Sequence, residues 1–244
     1  MTAKGKRRID LLLVERGLAE SRQKAQALLL AGEVLVDGLR IDKPGRVVAA
    51  DARLEITGKL PYVSRGGLKL EAALRAFGVD VGGKVCIDVG ASTGGFTDCL
   101  LQHGAARVYA VDTGSGQIAW KLRQDPRVIL REQINARYLT LEDLGERVDV
   151  LVCDVSFISV TLLLPRFPAL IHPHGVMIIL IKPQFEVGKG LVGKGGVVRD
   201  VALQQAACQK VSRQAEALGY QTELIPSPIL GSEGNQEFFL YVHH

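Results

Sequence analysis

The chain has 244 residues, 47% of them hydrophobic, and a formal net charge of +4. That length suits one α/β domain of about 180 residues with a module of about 60, and the apolar content is enough for a full core. The charge is unevenly placed. Residues 1–60 hold 12 Lys and Arg against 8 Asp and Glu, whereas residues 61–244 hold 18 of each, so the whole excess lies in the first quarter. A basic segment on a neutral body is the footprint of a polyanion-binding module, although a solvated basic tail has the same composition. Cys86, Cys99, Cys153 and Cys208 show no Cys-x-x-Cys pairing, which points to free buried thiols in a reducing compartment and to no metal site. Residues 9–15 are interrupted by Asp10 and Glu15, and the apolar run 175–181 is short. Neither fits a signal peptide or a membrane span, so the expectation is a soluble, cytoplasmic protein without a membrane partner.

Leu11, Leu12, Val14 and Leu18, then Ala25, Leu28, Leu29 and Leu30, recur at helical spacing. They predict two helices, the second capped by Ser21 and stopped at Gly32. Residues 34–36, the Asp37-Gly38 turn and the stretch to Ile56 predict a small sheet, and residues 58–61 read as the start of a linker. From Val63 the pattern changes to buried-type strands at 85–89, 108–111, 128–130, 148–152 and 176–181, with helices centred near Leu70, Thr97, Lys121 and Leu163. Such alternation predicts a parallel sheet covered on both faces. His172-Pro173-His174 reads as a turn between a helix and a strand. After a helix over 201–218, the stretches 222–225 and 237–242 are joined too closely for a crossover helix and should pair antiparallel. The resulting division is 1–58, a linker over 59–65, and 66–244.

Asp88-Val-Gly90-Ala-Ser92-Thr93-Gly94-Gly95-Phe96-Thr97 follows an apolar strand and opens a helix. That position lies at the carboxyl edge of the sheet, where doubly wound folds bind ligands. Its spacing is not the Gly-x-Gly-x-x-Gly of dinucleotide enzymes. It resembles instead the S-adenosylmethionine loop of Rossmann-type methyltransferases, which makes Asp88, Gly90, Ser92, Thr93, Gly94, Gly95 and Phe96 candidate cofactor residues. Asp112 ends the next strand, placed to accept hydrogen bonds from ribose hydroxyls. Asn135 either bounds an adenine pocket or caps a turn. Asp154 and Lys182 each end a strand at the same rim, Lys69 lies on the helix that begins near Gly66-Gly67, and Glu237 opens the last strand. One charge at a strand end is ordinarily a solvated cap. Two lysines and two carboxylates converging on one rim suggest chemistry on a weakly acidic hydroxyl, because a second ammonium nearby disfavours the charged form of a lysine.

Lys69, Asp154, Lys182 and Glu237 match in order the Lys-Asp-Lys-Glu tetrad of FtsJ-like ribose 2′-O-methyltransferases. Arg8-Ile-Asp10, Ser21-Arg22-x-Lys24-Ala25, the stretch 32–38 and Lys43-Pro44 resemble the S-four-type RNA-binding module. With Ser64-Arg65-Gly-Gly, Asp154-Val-Ser-Phe-Ile-Ser159 and Lys182-Pro-Gln-Phe-Glu186, the resemblance narrows to the haemolysin A (TlyA) family of ribosomal RNA cytidine 2′-O-methyltransferases. It implies a Rossmann-like α/β methyltransferase sheet, a small α+β RNA-binding module, S-adenosylmethionine as methyl donor, and ribosomal RNA or ribosomal subunits as partner. It also implies that Arg8, Arg22, Lys24 and Arg65 meet RNA, and within the tetrad Lys182 is the expected acceptor of the hydroxyl proton, with Lys69 disfavouring its charged form and Asp154 and Glu237 orienting both amines. The glycine-rich stretch 188–196 would either bring Lys189 and Lys194 to phosphates or form an ordinary surface loop. Two other readings stay open, a membrane-active haemolysin and a non-catalytic RNA-binding assembly factor.

Overall fold

The computed structural model describes residues 5–58, 61–193, 195–231 and 234–244, without the side chain of Lys189. The chain divides into two units, Met1–Pro61 and Tyr62–His244.

In the first unit a short strand β1 (Lys6–Arg8) runs directly into helix α1 (Ile9–Glu15), followed by α2 (Arg22–Leu30), β2 (Val34–Val36), β3 (Leu39–Arg40), β4 (Val47–Ala49) and β5 (Leu54–Ile56). β1 pairs antiparallel with β4, and the remaining strands form a sheet in the order β3-β2-β5. Ser21 Oγ accepts from Lys24 N at 3.2 Å and caps α2 as expected. The apolar faces of the two helices, through Ile9, Leu13, Ala25 and Leu29, close on Val34, Val36 and Ile41. One polar residue sits among them. Asp10 is fully buried, and its carboxylate accepts from Arg8 through Nε (3.0 Å) and Nη2 (2.9 Å), from Arg22 Nε (3.0 Å) and from Gln26 Nε2 (3.2 Å). Burial would raise a carboxyl, but the Arg8 hydrogen bonds outweigh it and hold Asp10 well below the ordinary carboxylate range.

The second unit opens with Tyr62, buried against the backbone of Gly67, and with Val63, whose N–H donates to Asp98 at 2.8 Å. The last part of the stretch read as linker therefore packs into this unit. Helix α3 (Arg65–Phe77) is capped by Ser64 and closed by Gly78 at φ 64°. There follow β6 (Val85–Val89), α4 (Gly95–Gln102), β7 (Arg107–Val111), α5 (Trp120–Arg123), β8 (Val128–Arg131), α6 (Leu141–Leu144), β9 (Val148–Cys153), α7 (Phe167–Leu170), β10 (Ile171–Ile181), α8 (Pro183–Glu186), α9 (Val201–Ala217), β11 (Gln221–Pro226) and β12 (Phe238–His243). The sheet order is β11-β12-β10-β9-β6-β7-β8, parallel except for β12. Its two faces carry separate cores, one including Ile87, Leu151, Phe167 and Ile179, the other Leu70, Leu100, Val150 and Phe239. After β6 the chain turns to one side through β7 and β8, then crosses back to β9 and β10. The crevice beyond β6 and β9 is thus the topological switch point at which such sheets bind ligands.

Two local expectations are corrected. The helix centred near Leu163 is a pair of 3₁₀ turns, Val160–Leu162 and Leu164–Arg166, before the short α7. Pro165 and Pro168 lack the N–H groups a continuous helix needs. His172-Pro173-His174 lies inside β10, where the register with β9 jumps from Ile171↔Val148 to Val176↔Val150 and leaves the three residues exposed. Proline cannot donate to the ladder, so the strand bulges around it. Among the described residues, no helix is long and apolar enough to cross a membrane.

Asp10→Ala should loosen the first unit by roughly 3 kcal/mol, since hydrogen bonds to charged groups are worth about 1.5–3 kcal/mol each and both guanidinium groups lose their partner. Hydrogen exchange should accelerate about 10²-fold over residues 9–30 at pH 7. Because the folded carboxyl is lowered, its contribution is complete above the unfolded value near 4 and is lost only as pH falls below it. The gap between parent and variant should therefore close in acid.

Candidate functional site

Four side chains meet at the carboxyl edge of the sheet as two ion pairs. Lys69 sits one turn into α3, whose N-terminus approaches that of α4 because Gly66, Gly67 and Gly95 carry no side chains. A Cβ on Gly95 would strike Ser64 Oγ. From this buried position Lys69 Nζ reaches Glu237 Oε2 at 2.5 Å, and Glu237 is itself buried immediately before β12. Asp154 follows β9 and Lys182 follows β10, so neighbouring strands bring them together, Lys182 Nζ lying 2.6 Å from Asp154 Oδ1. The directed hydrogen bond of Lys182 goes elsewhere, to Ser156 Oγ at 2.8 Å, and its contact with Asp154 is coulombic rather than aligned for hydrogen bonding. The four charges sum to zero, with each lysine provided with a carboxylate of its own.

Two cavities open at this edge. The larger, about 530 Å³, lies beyond β6, β7 and β9 and is lined by Asp112, Asn135, Val155, Phe157 and Ile158 among others. The smaller, about 350 Å³, is lined by Arg65, Thr93 and Phe96 together with the four charged residues. They share Gly90, Ser92, Asp154 and Ser156. A volume of several hundred Å³ is that of a small-molecule site, and the walls suit a nucleoside. Gly90 (φ 90°) brings bare backbone to the rim, and Asp112 stands at the end of β7 with Oδ2 accepting from Ser92 N (2.8 Å) and Oδ1 from Gly114 N (2.7 Å). Asn135 accepts from Arg137 N at 3.0 Å, capping a 3₁₀ turn while also lining the cavity.

A family model described as FtsJ-like methyltransferase matches residues 62–244, and an S4 domain model matches residues 7–54. The chain belongs to the FtsJ-like methyltransferase family. It is 49% identical over 246 residues to a Bacillus subtilis protein provisionally named an rRNA methyltransferase, YqxC, covering 100% of this chain and 87% of that one. It is 48% identical over 238 residues to the 16S/23S rRNA (cytidine-2′-O)-methyltransferase TlyA of Mycobacterium tuberculosis, covering 96% and 89% respectively. A solved structure from Streptococcus thermophilus that carries a provisional hemolysin name superposes with a TM-score of 0.77 at 43% identity, covering 99% of this chain and 89% of that one.

Within this methyltransferase, two residues of the glycine loop act differently from expectation. Asp88 lines neither cavity. It is fully buried beneath the loop, where Oδ2 accepts from Thr97 N (2.9 Å) and Thr97 Oγ1 (2.7 Å), tying β6 to the start of α4. Burial pushes its carboxyl up to about 7 despite those bonds, and Asp154 adds to the rise. Gly94 also lines neither cavity. A side chain there would strike Leu122, so this glycine serves the packing of α4. Phe96 touches the smaller cavity but is mainly core, its ring 6.2 Å from that of Phe239. The residues that sequence reasoning missed are Ser156 and Phe157 on the loop after β9. The Asp154-Val-Ser-Phe motif carried the only signal for them.

The basic residues singled out in the sequence fall in different settings. Lys24 is exposed, and Arg8 and Arg22 remain 44% and 54% exposed despite their bonds to Asp10. Arg65 lines the smaller cavity. Lys194 and the side chain of Lys189 lie outside the described residues. All four cysteines are buried free thiols, and burial pushes Cys86, Cys99 and Cys208 up to about 12.

Asp88→Asn keeps an acceptor for Thr97 and removes the buried titration. Since the folded carboxyl is raised, its stabilising contribution is complete below about pH 4 and is lost as pH rises towards 7. The variant should be spared that loss, on the order of 4 kcal/mol by pH 8. Thermal melts of parent and variant between pH 4 and 8 would show it, and parallel curves would rule it out.

Proposed function

We propose that this chain transfers a methyl group from S-adenosylmethionine to the ribose 2′-hydroxyl of a cytidine in ribosomal RNA, in the cytoplasm. The observation that carries this reading is the charge-neutral tetrad lining the smaller of two adjoining cavities, beside Arg65, with Asp154 on the edge it shares with the larger one, which suits a nucleoside cofactor. The substrate class follows from the relatives named for cytidine-2′-O-methylation of rRNA and from the basic S4 unit.

Asp112, Asn135, Gly90 and Ser92 would hold the cofactor, which supplies a methyl group already activated on a sulfonium. What remains for the protein is to hold the hydroxyl oxygen in line and to remove its proton. Lys182 takes that role. Ser156 Oγ fixes the direction of its amine and the Asp154 carboxylate, 2.6 Å away, holds it at the rim by charge, so that in its neutral form the amine is placed to accept the proton of the hydroxyl. Lys69, neutralised by Glu237, adds a second donor for the substrate oxygens without leaving the pocket a net positive charge. Arg8, Arg22 and Lys24 on the first unit and Arg65 beside the tetrad meet the RNA backbone.

Lys182→Ala should lower single-turnover methylation by about 10²-fold or more with both ligands still bound, the scale of a positioned acid-base group. Lys182→Arg should be nearly as slow, because a guanidinium keeps its charge and cannot lose a proton at working pH. Tritiated cofactor and ribosomal RNA give the readout, and a fully active arginine variant would remove the proton-transfer role.

Lys24→Ala should weaken RNA binding and lower the slope of log affinity against log salt by about 1, as one phosphate contact is lost. An unchanged slope in filter binding would take Lys24 out of the interface.

A further inference from the structure

Two segments leave the neighbouring strands β9 and β10, and their side chains join them at three levels. Lys182 Nζ donates to Ser156 Oγ at 2.8 Å. The rings of Phe157 and Phe185 lie with centroids 5.2 Å apart at 50°. At the far end Glu186 closes the arrangement, Oε2 accepting from Ser159 Oγ at 2.5 Å and Oε1 from Val160 N at 2.7 Å. Glu186 is buried, with 2% of its side chain exposed, and is held from behind by Lys210 of α9, whose Nζ donates to its carbonyl at 3.0 Å and stands 3.5 Å from Oε2.

The loop between these contacts needs such a closure. Phe157 is 92% exposed and has φ 64°, a left-handed conformation that a bulky side chain rarely adopts without support from its surroundings. Residues 155–158 form one wall of the larger cavity, and Ser156 also faces the tetrad. A carboxylate buried only to fill space would cost more than an apolar residue of the same size. At Glu186 a backbone N–H, a hydroxyl and an ammonium all converge on it.

We propose that Glu186 is a positioning residue for methyl transfer. Outside the reacting centre, it holds the wall 155–158 in its ligand-ready shape and thereby sets Ser156 against Lys182. The inference rests on the reading of the larger cavity as the cofactor site. Glu186 then acts on cofactor affinity through the loop, and the exposed face of Phe157 is presented by the same closure.

The test is calorimetric titration of S-adenosylmethionine into the full chain, with a thermal melt of each protein. Ser159→Ala, which removes the hydroxyl link to Glu186 together with the contacts of that hydroxyl with Thr161, should raise the Kd about tenfold, the scale of one hydrogen bond to a charged group. Thr161→Val, which keeps the Glu186 link, should leave the Kd near the parent value. Glu186→Gln should raise it by only about two- to threefold, because an amide can still accept from Val160 N and donate to Ser159 Oγ. In turnover, KM for the cofactor should rise while KM for RNA stays put, a split that general destabilisation would not produce. In a Phe157→Gly background, where the left-handed φ carries no strain, Ser159→Ala should add less than it does alone. Unchanged cofactor Kd in both Ser159→Ala and Glu186→Gln, or a loss confined to the melting temperature, would overturn the proposal while leaving the cofactor site intact. A parent chain that does not bind S-adenosylmethionine would instead remove the cofactor reading, and this proposal with it.

Discussion

The backbone of Gly90 lies so close to that of Asp154 that a Cβ at this glycine would sit 2.5 Å from the Asp154 carbonyl oxygen. Everything at the site is organised around that approach. Asp154 N donates to Val89 O at 2.9 Å, and Gly90 N and Ala91 N both donate to Val111 O, so the ends of β6, β7 and β9 are bonded into one rim. The glycine loop and the first carboxylate of the tetrad therefore cannot move independently. On the proposed reading, a cofactor on the loop and a hydroxyl at Lys182 would meet at a distance set by sheet geometry, which is the precision that in-line transfer requires.

Charge is handled in pairs throughout the molecule. The tetrad separates its lysines, each with its own carboxylate, rather than placing two ammonium groups against one another as the residue types alone suggested. The first unit does the reverse, gathering two arginines on the one buried carboxylate of Asp10. In the tetrad the partners come from separate segments, whereas Asp10 is held both by Arg8, two residues before it, and by Arg22 of α2. The buried ions are thus compensated where they lie, as burial of charge demands.

The sheet was legible in the sequence because its strands are buried on both faces and read as unbroken apolar runs, and because Asp112, Asp154 and Lys182 sit at their ends. β1 escaped notice because Lys6-Arg7-Arg8 is wholly charged and forms a strand only through pairing with Val47–Ala49. The chain near Leu163 has helical apolar spacing, but Pro165 and Pro168 decide its local form. Asp88 was misplaced for a subtler reason. A carboxylate at the end of a strand points either over the rim or under it, and the bond to Thr97 that draws it under is a tertiary contact. Glu186 and Ser159 were invisible as a pair since 27 residues separate them, and only the adjacency of β9 and β10 brings them together.

β12 occupies the interior of the sheet although it is the last strand along the chain, inserted between β10 and β11. Glu237, which immediately precedes it, is thus the last member of the tetrad to be synthesised. During translation, when folding proceeds from the N-terminal side, a growing chain can bring the glycine loop, Asp154 and Lys182 together while Lys69 still lacks its buried partner and one long edge of β10 stands open. The first unit, and with it the basic helices, is ready much earlier. On the proposed reading, the capacity to hold RNA would therefore precede the capacity to modify it, the tetrad being completed only once residues 238–243 have slotted into place.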